Sequence, residues 1–127
     1  MKPLRSDFQS RRWSIRPLLH EALIIKIHTD EGIAGIGEVD SSARMAKAVV
    51  EAPMTHSVAS GLARLIIGMN PLDIEIINER LYQSTFYIGR RALVIHTIAG
   101  IDIALWDMAG KYYKKPLYQL LGGVFID

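Results

Sequence analysis

The chain has 127 residues, half of them hydrophobic and 22% charged, which fits one globular domain with a sizeable core and excludes a disordered chain. Lys and Arg total 15 against 13 Asp and Glu, a net charge of +2, so no strongly basic surface calls for a nucleic-acid partner. Without cysteine there is no disulfide framework, thiolate nucleophile or cysteine zinc site, and a reducing, cytoplasmic compartment is expected.

At the start, Lys2, Arg5, Arg11, Arg12 and Arg16 concentrate positive charge without interleaved aromatic platforms, so they read as a solvated arm. No apolar run follows them, and the apolar segment Ala22 to Ile27 is broken by Lys26, so neither a secretion signal nor a membrane span is expected. Trp13 and Ile15 alternate within residues 9–16, a candidate partner strand with little hydrophobic pattern. Residues 22–29 are β-branched and roughly alternating, Asp30-Glu31-Gly32 makes a turn, and residues 33–39 return as a second strand.

Residues 41–54 read as a loop or short helix that Pro53 ends. From Thr55, Val58, Leu62, Leu65 and Ile66 have helical spacing, with Gly68 as terminator. Asn70-Pro71-Leu72-Asp73 supplies a helix cap, a first-turn proline and a first-turn acid, followed by the stripe Ile74, Ile77 and Leu81. Beyond Arg91, Val94, Ile95, Ile98, Ile101, Leu105 and Met108 line one helix face, while Ala99, Gly100, Ala104 and Ala109 keep the surface thin enough for close packing. Lys111, Lys114 and Lys115 suit the negative end of that helix, Pro116 opens a short one, and Gly122 or Gly123 ends it. Strands first and helices after indicate an α+β fold, a small antiparallel hairpin-led sheet followed by a helical bundle.

Gly32, Gly35 and Gly37 do not make a dinucleotide fingerprint, because Asp40 stands where a third glycine is needed; they read instead as permitting a bulge or a close backbone approach. His20, His28, His56 and His96 are scattered with no metal-binding spacing, and His96 is expected to be a core imidazole with one backbone hydrogen bond. The carboxylates show no convergence of the kind magnesium needs. Asp102 and Asp107 lie about 140° apart around a helix, so they read as partners of capping or interdomain hydrogen bonds. Tyr82, Phe86 and Tyr87 with Gly89-Arg90-Arg91 form an aromatic and basic elbow that fits either a carboxylate or polyol contact or plain packing beside a solvated helix start.

The run from Ala99 to Lys111, Ala-Gly-Ile-Asp-Ile-Ala-Leu-Trp-Asp-Met-Ala-Gly-Lys, followed by Pro116-Leu-Tyr-Gln-Leu-Leu-Gly-Gly123, resembles the helix signature of the mandelate racemase and muconate lactonizing enzyme family of the enolase superfamily. Gly32, Gly35-Ile-Gly-Glu38 and Gly68-Met-Asn-Pro71 extend the resemblance over roughly residues 21–123. It implies an enolase N-terminal-domain-like capping domain, with Mg²⁺ and every catalytic group on a following (β/α) barrel, where a lysine or histidine removes the proton α to a carboxylate. Residues 1–127 are then expected to be the capping domain only, with the barrel absent, no catalytic or metal residue in the chain, and no activity alone. The implied partners are the missing barrel, a small carboxylate or acid-sugar substrate, and a second copy of the chain.

In that family two capping-domain loops cover the active site, and by position they correspond to about residues 16–20 and 41–54. Arg16, His20, Ser42, Arg44, Tyr87 and Arg90 are the substrate-specificity candidates. The stretch Tyr87 to Arg91 with Val94-Ile95-His96 looks most like acid-sugar dehydratases. The chain departs from the family pattern in its poorly defined first strand and in Val124 to Asp127, which lacks the polar lead into the barrel. A stand-alone binding or structural module with the same fold is the alternative. Tyr112, Tyr113, Leu117, Leu120 and Leu121 exceed what a small sheet covers, so self-association through residues 112–125 is expected.

Overall fold

The computed structural model describes residues 21–56, 59–89 and 91–123. The elements run β1 (Leu23–His28), β2 (Ala34–Val39), α1 (Ala43–Glu51), α2 (Leu62–Ile66), α3 (Ile74–Ser84), α4 (Leu93–Tyr113) and α5 (Leu117–Leu120). This is the α+β fold expected, with β1 and β2 antiparallel and helices against one face. The candidate strand at residues 9–16 and the basic arm lie outside the described residues.

The hairpin closes through Thr29, whose N–H donates to the Ile33 carbonyl at 3.0 Å, while Gly32 takes the left-handed φ of +79° that a three-residue turn requires. The register pairs Ile25 with Gly37 and Ile27 with Gly35, so Ile25, Gly35, Gly37 and Val39 turn inward. Ile24, Lys26, Ile36 and Glu38 face out.

Helix α4 fills the inner face of the hairpin. It buries Val94, Ile98, Ile101, Ala104, Leu105, Met108 and Ala109 among Ile25, Val39, Ile77 and Leu81. Contact with β2 is made by backbone. A Cβ at Gly35 would overlap the Ala104 carbonyl and lie 2.8 Å from Met108 Cβ, and one at Gly37 would overlap the Gly100 carbonyl. Gly100 answers from the helix, since a Cβ there would lie 2.5 Å from Val39 Cγ2. Glycine on both sides therefore sets the strand-to-helix distance, as the reading of close approach required. Among the described helices α4 alone has the length and mean hydropathy, 1.4 over 18 residues, to cross a bilayer, and half of that window is buried in this core.

Several local expectations change. The helix expected from Thr55 begins only at Leu62: Thr55 and Ala59 pair through an N–H to carbonyl bond of 3.1 Å, and Gly61 is wedged against the carbonyls of Val50 and Ala52. Gly68 ends α2 as expected, with φ +85°. Asn70 does not cap α3. Its Oδ1 accepts the Leu72 N–H at 3.2 Å in a local turn, and Asp73 occupies the cap position without a side-chain bond. Ile74, Ile77 and Leu81 are nonetheless the buried stripe of α3. Pro116 sits one residue before α5 rather than inside it, and Gly122 and Gly123 take φ of +108° and +98° after its end.

Asp102 and Asp107 serve bonds within this domain. Asn78 Nδ2 on α3 donates to Asp102 Oδ1 at 2.5 Å, tying α3 to α4. Asp107 Oδ2 accepts the Ile36 N–H, and Lys111 Nζ donates both to Asp107 and to the Ala34 carbonyl at 2.9 Å. Two side chains of α4 thus occupy backbone groups on the outer edge of β2.

Candidate substrate-facing site

The antiparallel run of β2 against α4 collects the start of β1, the end of β2 and the first turns of α1 and α4 at one end of the domain. There His96 Nδ1 donates to the Asp40 carbonyl at 2.5 Å, which fixes a proton on Nδ1 because a carbonyl can only accept. His96 is exposed rather than in the core, a correction to the sequence reading: its neighbours Val94, Thr97 and Ile98 turn inward and leave it on the outer face.

Ser42 is exposed and precedes α1; its carbonyl accepts the Ala46 N–H at 2.9 Å, but its hydroxyl makes no cap bond. Arg44 is exposed, with Nη2 3.4 Å from Glu21 Oε1, an open surface pair worth little. Tyr87 is 68% exposed at the elbow between α3 and α4. Arg16, His20 and Arg90 lie outside the described residues. No hydrogen bond or ring contact joins Tyr87 to Ser42 or Arg44 among the described residues.

Tyr87 instead meets His56, which the sequence reading named only as one of four scattered histidines. Their rings stand edge to face, with centroids 6.5 Å apart and planes at 78°. Thr55 Oγ1 lies 3.0 Å from His56 Nδ1 and orients the imidazole. The loop carrying His56 is closed at its base by the Gly61 N–H donating to the Ala52 carbonyl at 2.9 Å. The sequence signal was the bracket Pro53 to Gly61 around a polar Thr-His pair, but the partner across the gap is tertiary.

The elbow itself is held in uncommon backbone. Gly89 has φ +144°, and Ala92, at the N-terminal boundary of α4, has φ +49°. That cap has no side-chain hydrogen bond, and the first turn carries no acidic residue.

Among the described residues no three His, Asp or Glu side chains gather at one point. Asp107 is committed to Lys111 and Ile36, and Asp102 to Asn78, so these two carboxylates do not offer a magnesium ion a shared site.

The family profile for the N-terminal domain of mandelate racemase / muconate lactonizing enzyme matches residues 16–122. The chain belongs to that family. It is 41% identical over 107 residues to D-galactonate dehydratase of Xanthomonas euvesicatoria pv. vesicatoria, covering 83% of this chain and 25% of the relative. It is 32% identical over 105 residues to L-rhamnonate dehydratase of Saccharopolyspora erythraea, with the same coverages. A solved enolase-superfamily member from Salmonella Typhimurium superposes with a TM-score of 0.69 at 36% identity, over 84% of this chain and 26% of that one. The chain thus spans about a quarter of the length of the curated relatives it matches.

Proposed function

We propose that this chain is the capping domain of a Mg²⁺-dependent acid-sugar dehydratase. The supporting observation is its 41% identity to a D-galactonate dehydratase across 83% of its length. In such a reaction an aldonate loses the proton α to its carboxylate and the β-hydroxyl, released together as water, and the resulting enol becomes a 2-keto-3-deoxy acid. On this reading the proton transfers and Mg²⁺ belong to a barrel domain, and the chain by itself is inactive.

This chain's share is recognition and water exclusion, with Ser42, Arg44 and Tyr87 as the residues that meet substrate and the His96–Asp40 bond beside Ser42 as the supporting observation. Arg16, His20 and Arg90 belong to the same proposal by their place in the family pattern. The protein works in the cytoplasm. The exposed Tyr112, Tyr113, Leu117 and Leu121 are the surface through which these 127 residues self-associate.

The test is an assay for 2-keto-3-deoxy acid with Mg²⁺ and a panel of aldonates that includes D-galactonate and L-rhamnonate. The 127-residue chain is expected to give none, and the longer protein that includes the downstream coding segment is expected to give product. Turnover by the short chain would overturn the non-catalytic assignment. No turnover by the longer protein on any aldonate would overturn the dehydratase assignment.

A further inference from the structure

We propose that the cavity between β1 and the α2–α3 link binds a small apolar monocarboxylate, with its tail inward and its carboxylate at the mouth. The cavity measures about 540 Å³, within the ~300–1,000 Å³ typical of small-molecule pockets. It lies at the turn end of the hairpin, where Lys26 to Asp30 line it, and not at the end where Leu23 pairs with Val39. Ser42, Arg44, Tyr87 and His96 take no part in its lining, so the proposal is independent of the substrate-facing residues.

Its floor is core. Ile77 and Leu105 are only 2% and 1% exposed, yet both border the cavity, and Ile27, Ile66 and Met69 complete an apolar wall. Protein interiors close most gaps down to the size of a water, because side chains facing a void forfeit dispersion contacts. An apolar guest restores those contacts, whereas water finds no polar partner on such a floor.

The mouth is polar and its charge favours an acid. Thr29 donates its N–H to the Ile33 carbonyl, and the antiparallel alternation from that pair directs the N–H and C=O of Lys26 and His28 away from β2. The described lining comes from β1, the turn, α2, α3 and α4 and includes nothing from β2, so those backbone groups lie on the cavity side. Neither residue has a backbone partner there among the described residues. Lys26 adds a permanent cation and His28 an imidazole, against one carboxylate, Asp30. A bound carboxylate gains the Lys26 ammonium and a backbone donor; an alcohol gains no charge pairing, and an ammonium is repelled.

Both walls are fixed before any guest arrives. The Thr29 hydroxyl donates to the Ile33 carbonyl at 3.0 Å and accepts the Ile33 N–H at 3.2 Å, which holds the turn. Opposite, Gly68 takes φ +85° and the Met69 N–H donates to the Ile66 carbonyl at 3.0 Å, which turns the chain out of α2. A preformed cavity loses little freedom on binding.

Methyl-detected NMR of the 127-residue chain, titrated with butanoate, hexanoate and octanoate, tests the site. Methyl signals of Ile27, Ile66, Ile77 and Leu105 are expected to shift in a saturable way, with affinity rising about fourfold per added methylene, the increment for burying one CH₂. Octanol is expected to bind more weakly than octanoate, and octylammonium more weakly still. Lys26→Gln should cost octanoate about fivefold and leave octanol unchanged, since the charge sits at an open mouth. Ala63→Phe, at a half-buried lining position of α2, fills the cavity and should abolish binding of all three acids. Circular dichroism of both variants is expected to match the parent.

Unshifted cavity methyls, equal affinity for the three acids, octylammonium binding as well as octanoate, or undiminished binding by folded Ala63→Phe would overturn the site. Octanoate shifts confined to Tyr112 through Leu121 would do the same, since they would mean adsorption to the exposed apolar surface. Nuclear Overhauser contacts between the cavity methyls and Trp13 in the free chain would give the cavity to the chain's own first residues and remove the guest.

Discussion

Asp107 Oδ2 accepts the backbone N–H of Ile36 at 2.8 Å, linking the last third of α4 to the middle of β2. The same oxygen receives Lys111 Nζ, which reaches on to the Ala34 carbonyl. One i,i+4 ion pair therefore does for the strand edge what a neighbouring strand would do, supplying an acceptor to its N–H and a donor to its carbonyl.

Asp107→Ala is expected to destabilise the domain by about 1 kcal/mol, less than a fully buried charged hydrogen bond would cost because the pair is partly open to water. Asp107→Asn keeps an acceptor for Ile36 and should lose about half as much. Urea denaturation midpoints of the three proteins check the ranking, and equal midpoints for Ala and Asn would remove the Ile36 bond as a contributor.

The same carboxyl gives a pH signature. Desolvation raises its pKa, but hydrogen bonds from Lys111 and Ile36 and the Lys111 charge outweigh it, so the net value lies below the ordinary 3.8. A pKa depressed by folding contributes stability that is fully present above the unfolded value, about 3.9, and lost as pH falls through the folded one. Asp107→Asn should accordingly close part of its stability gap to the parent as the pH drops below about 4. A gap that stays constant from neutral pH down to acid unfolding would show that the carboxylate has no such linkage.

Glycine substitutions should separate crowding from backbone conformation. Gly37→Ala drives a methyl into the Gly100 carbonyl with backbone on both sides, so a loss of at least about 3 kcal/mol or failure to fold is expected. Gly32→Ala meets nothing within 4 Å and pays only for φ +79°, about 1 kcal/mol. Thermal unfolding of both variants distinguishes the two mechanisms; comparable losses would mean that β2 and α4 can move apart.

Asn70→Ala is expected to cost about 0.5 kcal/mol, the low end for a hydrogen bond, because Oδ1 serves one exposed turn amide and no helix terminus. A loss near 2 kcal/mol by chemical denaturation would restore a capping role.

Leu117→Asp with Leu121→Asp places two charges on the exposed apolar surface around α5, where both leucines are at least 40% accessible. The parent is expected to associate in light scattering at high micromolar concentration, and the double variant to shift toward monomer. A parent that is strictly monomeric there would remove the association.

The elements carried by repeated spacing were legible in the sequence. Ile74, Ile77 and Leu81 identified the buried side of α3, Val94 through Met108 that of α4, and Gly35 and Gly37 marked a bulge or a close backbone approach, of which the structure shows the second. What failed depended on partners distant in sequence or on one residue of geometry. Val58, Leu62, Leu65 and Ile66 have helical spacing, yet Gly61 is clamped by carbonyls at the end of α1 and its surroundings, so the helix cannot start before it. His96 looked interior from its apolar neighbours, but Val94 and Ile98 face in while it faces out. For His56 the Pro53 to Gly61 bracket was the local signal, but nothing local pointed to its partner, Tyr87, which arrives from beyond α3.

With the Ile36 N–H and the Ala34 carbonyl already engaged, the outer border of β2 offers an incoming strand fewer free groups than a bare edge. A strand pairing there would first have to displace Asp107 and Lys111 from their bonds. The Asp107–Lys111 clasp thus guards this border against edge-to-edge pairing with another copy.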